Sequence, residues 1–93
     1  MAKRTDANQG EIVAALRSLG AVVQDLHEVG HGVPDLLVAY RGRLYLVEVK
    51  AAGARLNTRE AIWHREWVQR GAPEPVVLHS VEEVLTWTQA AGS

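Results

Sequence analysis

Cysteine is absent from the 93-residue chain, which excludes disulfides and thiolate-held metals. No apolar run approaches membrane-spanning length, and "MAKRTDANQG" has no apolar core after its basic residues. The chain is therefore expected to be cytoplasmic, with no membrane contact. It has no internal repeat, low-complexity segment or linker, so residues 1–93 are expected to form one domain. The four histidines show no zinc-ligand spacing, and no base-reading module is visible.

Net charge is also small, at −1, but it is unevenly spread. Residues 1–40 sum to −2, residues 41–70 to +4 and residues 71–93 to −3. The middle third, with Arg41, Arg43, Lys50, Arg55, Arg59, Arg65 and Arg70, is a candidate for contact with an anionic partner. A solvated surface with uneven charge is the plainer alternative. The hydrophobic share of 47% suits a globular protein with a modest core, for which oligomerisation is a common source of stability.

Periodicity predicts the order α-β-β-β-α-β-α. "GEIVAALRSLG" places Ile12, Val13, Leu16 and Leu19 on one helical face, with Asp6 or Asn8 as cap and Gly20 as stop. "AVVQDLHEV" reads as a strand, and "GHGVP" as a loop. "DLLVAY" and "RLYLVEVK" form a hairpin around Arg41-Gly42. A second helix, "NTREAIWHREWVQRG", starts at Asn57 or Thr58 and leaves through Gly71. "APEPVVLHS" gives a fourth strand, and Ser80 with Glu83 predicts a capping box for a third helix. This is an α/β pattern, a mixed sheet with helices over both faces.

The hairpin has an unusual end. A two-residue turn pairs Tyr40 with Arg43, hence Leu36 with Val47 and Asp35 with Glu48. Facing carboxylates then stand roughly 4.5–5.5 Å apart at Cβ. Like charges so placed are destabilising, and partial burial makes them more so. Proton sharing or a shared divalent cation would relieve the conflict, and carboxylate oxygens suit Mg²⁺ or Mn²⁺. Lys50, on the same strand face as Glu48, is either its salt-bridge partner or a group that holds an anion or orients water.

Pro34-Asp35, twelve intervening residues and Glu48-Val49-Lys50 look like the PD-(D/E)XK nuclease motif. From Gly32 to about Leu85 the chain resembles the VRR-Nuc family of that superfamily. The resemblance includes Leu56 before helix 2, Trp63-His64 within it and Gly71 at its exit. It implies a restriction-endonuclease-like mixed sheet flanked by helices. It further implies that Asp35, Glu48 and the Val49 carbonyl bind the metal, with Lys50 serving the water or the phosphate. Glu11 matches an acidic position that often joins such a site; its alternative is a solvated helix-start glutamate. Glu60 departs from the family, which usually has glutamine there. It either adds a carboxylate to the site or only caps the helix with Asn57.

His31, in the loop before the motif, is a candidate for phosphate or a second metal, or is structural. His64 is a candidate for facing the cleft. His27 and His79 fall in predicted strands without a chemical partner. Trp63, Trp67 and Trp87 sit at packing spacing, which favours core or interface over base stacking.

The resulting expectation is an Mg²⁺- or Mn²⁺-dependent DNA endonuclease. Arg41, Arg43, Arg55 and Arg59 would hold the phosphate backbone. Small free-standing members of the family resemble Holliday-junction resolvases, often of phage origin, which places such a protein in the host cytoplasm. Paired cuts on a symmetric junction call for a homodimer. The alternatives are a non-catalytic DNA-binding or adaptor module that kept the fold, and a restriction- or toxin-type nuclease on linear duplex.

Overall fold

Four strands and three helices follow the order α1 (Ala7–Ser18), β1 (Val22–Asp25), β2 (Leu36–Tyr40), β3 (Arg43–Val49), α2 (Thr58–Gln69), β4 (Val76–Leu78) and α3 (Val81–Ala91). This computed structural model describes residues 7–91, without the side chain of Ala7. Asp6, one of the two cap candidates, lies outside the described residues. The sheet order is β1-β2-β3-β4; the first three strands run antiparallel, and β4 joins β3 in parallel. Among the described residues no helix is long and apolar enough to cross a membrane.

The hairpin register follows from its turn. Arg41 (φ 51°) and Gly42 (φ 84°) both lie in the left-handed region, the geometry of a two-residue type I′ turn. That turn matches strand twist and fixes the pairs Tyr40↔Arg43, Val38↔Tyr45 and Leu36↔Val47. The next pair outward is Asp35 with Glu48.

Alternation then divides the strands into two faces. Leu36, Val38, Tyr40, Val47 and Val49 bury against Ile12 and Leu16 of α1 and Val84 of α3. Trp87 packs on this side, 4.8 Å edge-on from the Tyr45 ring and 6.0 Å from that of Tyr40. The opposite face carries Leu37, Leu44, Leu46 and Glu48, and α2 lies over its lower end.

Coverage by α2 is incomplete and reverses the usual order. Along this face of β3, Glu48 is 1% exposed, Leu46 half-buried and Leu44 69% exposed. Trp63 and Trp67 stack at 4.5 Å and close one wall of an apolar groove of about 270 Å³, floored by Leu37, Leu44 and Leu46. These two tryptophans are lining residues, while Trp87 is packed against the core.

Local polar groups moved several element boundaries. β1 ends at Asp25, four residues short of the predicted Val29, because Asp25 Oδ1 accepts the His27 N–H at 2.7 Å and turns the chain. His27 therefore sits in a turn. Leu19 lies past the end of α1 and is exposed. Asn8 is inside α1 and does not cap it; its amide reaches Lys50 O at 2.9 Å and His79 O at 3.4 Å. Asn57 caps α2 with a full capping box to Glu60. At α3 the box is only half formed. Ser80 Oγ accepts the Glu83 N–H, but Glu83 Oε1 accepts the His79 N–H at 2.7 Å, one residue earlier than expected.

Candidate active site

The lower end of the hairpin, the entry to α2 and the loop from Ala51 to Leu56 meet at one place. Asp35 stands just before β2, partly buried. One of its oxygens, Oδ2, accepts the Val49 N–H at 2.8 Å, while its backbone carbonyl accepts the Leu26 N–H at 2.7 Å. The aspartate thus takes up a strand N–H just where the β2–β3 ladder ends, and this holds its carboxylate beside β3.

Glu48 is buried opposite it. Burial, then a hydrogen bond to Asp35, then the Asp35 and Glu60 charges push its carboxyl up to about 10; Lys50 acts the other way. The shift favours a protonated Glu48 hydrogen-bonded to Asp35, the first of the two reliefs the sequence allows. The second, a cation, fits the same donors. Two hard carboxylate oxygens, one from each residue, converge at the site. Among the described residues no group of three or more His, Asp or Glu is arranged as a metal cage. Two carboxylates match Mg²⁺, which commonly takes one or two from a protein and completes its shell with water or phosphate.

Lys50 leaves β3 toward α2. Its Nζ is 3.0 Å from Glu60 Oε1, and that oxygen also accepts the Asn57 N–H at 2.8 Å. Glu60 therefore completes the helix cap, the second of its two readings, and the same oxygen meets Lys50. His64 reaches the site from the next turn of α2. Its Nε2 lies 3.5 Å from Glu48 Oε1, and it is 5% exposed. Burial lowers its pKa, against the raising influence of Glu60 and Glu74. Both shifts favour the uncharged forms, which argues against an ion pair here.

Other candidates are placed differently. Glu11 is exposed on α1 and makes no hydrogen bond or ion pair among the described residues, so the structure does not join it to the carboxylate pair. Val49 is engaged through its N–H. His31 (φ 59°) is exposed and lines a shallow depression with Arg59, Ile62, Trp63 and Glu66. Gly32 after it is sterically required. A Cβ there would stand 2.6 Å from the Arg59 carbonyl oxygen, so this loop rests directly on α2.

Arg55 and Arg59 are exposed on the loop and helix at the site end. Arg41 and Arg43 are at the hairpin tip, five residues along β2 from Asp35, or roughly 17 Å at strand rise. Arg41 lies over the Tyr40 ring at 5.6 Å, at the end of the α1/α3 side. Arg41 and Arg43 are not brought to the carboxylate pair.

Two residues gain roles that spacing did not reveal. His79, just past β4, has Nδ1 3.0 Å from Glu83 Oε1 and Nε2 3.3 Å from the Ala54 carbonyl. Its backbone and ring hold the Glu83 carboxyl below the usual range. His79 and Asn8 together tie the loop after Lys50 to α1 and α3. Both contacts depend on tertiary placement, and no local pattern encodes them.

Residues 2–81 match the model of the VRR-NUC domain. A solved structure described as a VRR_NUC domain superposes with a TM-score of 0.72 at 27% identity, covering 90% of this chain and 97% of that one. No curated protein matches the chain.

Proposed function

The chain belongs to the VRR-NUC domain family, a nuclease-type domain, and on that premise we propose that it is a metal-dependent DNA endonuclease acting on branched DNA such as Holliday junctions. The observation that carries this reading is the buried Glu48 held against Asp35 with Lys50 two residues on. A purely structural strand end gains nothing from two carboxylates forced to share a proton.

Asp35 and Glu48, with the Val49 carbonyl, would hold Mg²⁺ or Mn²⁺, which would supply charge neutralisation and a more acidic bound water. Lys50 offers an ammonium, steadied by Glu60, to orient the attacking water and offset charge on the phosphate. The water releases a proton to solvent as its oxygen bonds to phosphorus and the ester P–O bond opposite breaks, and the departing oxygen takes up a proton from solvent. Arg55 and Arg59 hold the backbone near the cut; Arg41 and Arg43 suit a DNA arm farther out.

A symmetric junction requires two cuts, which a homodimer supplies. The open apolar groove around Leu44 and Trp67 supports a second copy as its cover. A single monomeric mass in light scattering would count against this part of the reading.

The test compares four-way junction, flap and linear duplex with Mg²⁺, Mn²⁺ or EDTA. Metal-dependent cutting strongest on the junction is expected. Preference for linear duplex would instead favour the restriction- or toxin-type reading. Binding without cutting in either metal would identify a non-catalytic module.

A further inference from the structure

Among the described residues, two buried side-chain atoms lack a hydrogen-bond partner, and they face each other: Glu48 Oε1 and His64 Nε2, 3.5 Å apart. A buried polar atom left alone is costly, so the pairing of the two needs an account. Proton counting settles what the contact is for. A carboxylate that ligates a metal is ionised and carries no proton of its own. Oε1 is then an acceptor only, and the polar atom aimed at it is Nε2. A donor is needed there, which selects the tautomer with hydrogen on Nε2.

We propose that His64 is the positioning residue of the carboxylate site, its Nε2–H closing on Glu48 Oε1 and leaving the other oxygen turned toward Asp35 for a divalent cation. The closure is small: a shift of about 0.5 Å brings 3.5 Å to ordinary hydrogen-bond length. With a cation on the Asp35 side, Oε1 is a buried anionic oxygen whose donor must come from α2. Ligating carboxylates are held by outer hydrogen bonds of this kind. The placement is specific to this helix. Asn57 and Glu60 fix the start of α2 against Lys50, and Gly32 fixes its first turns, which brings the next turn over Glu48.

This inference rests on the metal-site reading, and its test separates the two. Mn²⁺ is titrated calorimetrically into the full chain without DNA, for wild type, His64→Gln and His64→Leu, with melting followed in parallel. The glutamine amide can still donate toward Glu48; leucine fills space without a donor. His64→Gln is expected to bind Mn²⁺ nearly as wild type does, and His64→Leu to lose about 10- to 100-fold. Equal affinity in folded His64→Leu overturns the proposal, as does an equal loss in both variants.

If His64→Leu does not fold, nitrogen-15 NMR of the wild-type His64 ring decides. A protonated Nε2 supports the proposal, and a bare Nε2 overturns it. A directly coordinated histidine nitrogen in the Mn²⁺ spin-echo spectrum would make His64 a ligand and also overturn it. Wild type that binds no Mn²⁺ contradicts the metal reading itself; the NMR signature still judges His64.

Discussion

A single oxygen, Oε1 of Glu60, accepts both the Lys50 ammonium at 3.0 Å and the Asn57 backbone N–H at 2.8 Å. Glu60 is thus the joint between the end of β3 and the start of α2. A glutamine carbonyl could accept the same N–H, but it would bring no charge to Lys50. The extra carboxylate also adds to the field that keeps Glu48 protonated.

Glu60→Ala is expected to cost about 1–2 kcal/mol, since it removes half the capping box and the ion pair together. Glu60→Gln should cost under about 1 kcal/mol, because the cap survives. Urea unfolding measures both. Equal losses would mean that the cap contributes nothing.

Asp35→Asn keeps an oxygen for the Val49 N–H, so the fold should persist while the anionic ligand is lost. Metal binding and cutting should fall together. Lys50→Ala should lower cutting by about 100- to 1000-fold with metal affinity retained, as for loss of one charge-stabilising donor. Calorimetry beside a nicking assay separates the two. Wild-type cutting by Lys50→Ala would remove Lys50 from the reaction.

The metal-free protein should grow less stable as pH rises. Glu48 titrates near its ordinary value of 4.5 when unfolded and at about 10 when folded. Across that window the folded state holds a proton that the unfolded state has released. Its contribution is complete below the lower value and is lost on the way to the upper one. The slope from this group is at most about 1.4 kcal/mol per pH unit. Urea titrations in EDTA should show this slope in wild type and its loss in Glu48→Gln. Metal affinity should rise over the same range, because the cation displaces the proton.

Gly32→Ala should cost about 2–4 kcal/mol, combining a left-handed φ of 86° with contact against the Arg59 backbone. Gly30→Ala, also left-handed but with open space around it, should cost only about 1 kcal/mol. Denaturant midpoints compare them. Equal losses would show that the loop does not bear on α2.

Much of this site was legible because it is local. The Arg41-Gly42 turn fixed the register, and register alone placed Asp35 opposite Glu48. The distance of Arg41 and Arg43 from that pair follows from the same counting, since the tip and the base of a hairpin are opposite ends. Burial was less legible. The pattern of β3 gives no reason for Glu48 to be covered and Leu44 open; that depends on where α2 lands. His64 shows the same limit. Its neighbourhood in sequence is a half-polar helix, and only docking brings Nε2 to Glu48. The misplaced end of β1 and the redirected Glu83 have a common cause, a side chain competing for a backbone N–H two or four residues away.

The central claim, that Asp35 and Glu48 hold one divalent cation, is tested most directly by an anomalous-difference map from a Mn²⁺-soaked crystal. A single peak within bonding distance of a carboxylate oxygen from each residue, with the Lys50 ammonium beside it, is the predicted result. No peak at the pair, or Mn²⁺ bound elsewhere while Asp35 and Glu48 still share their proton, would contradict the account.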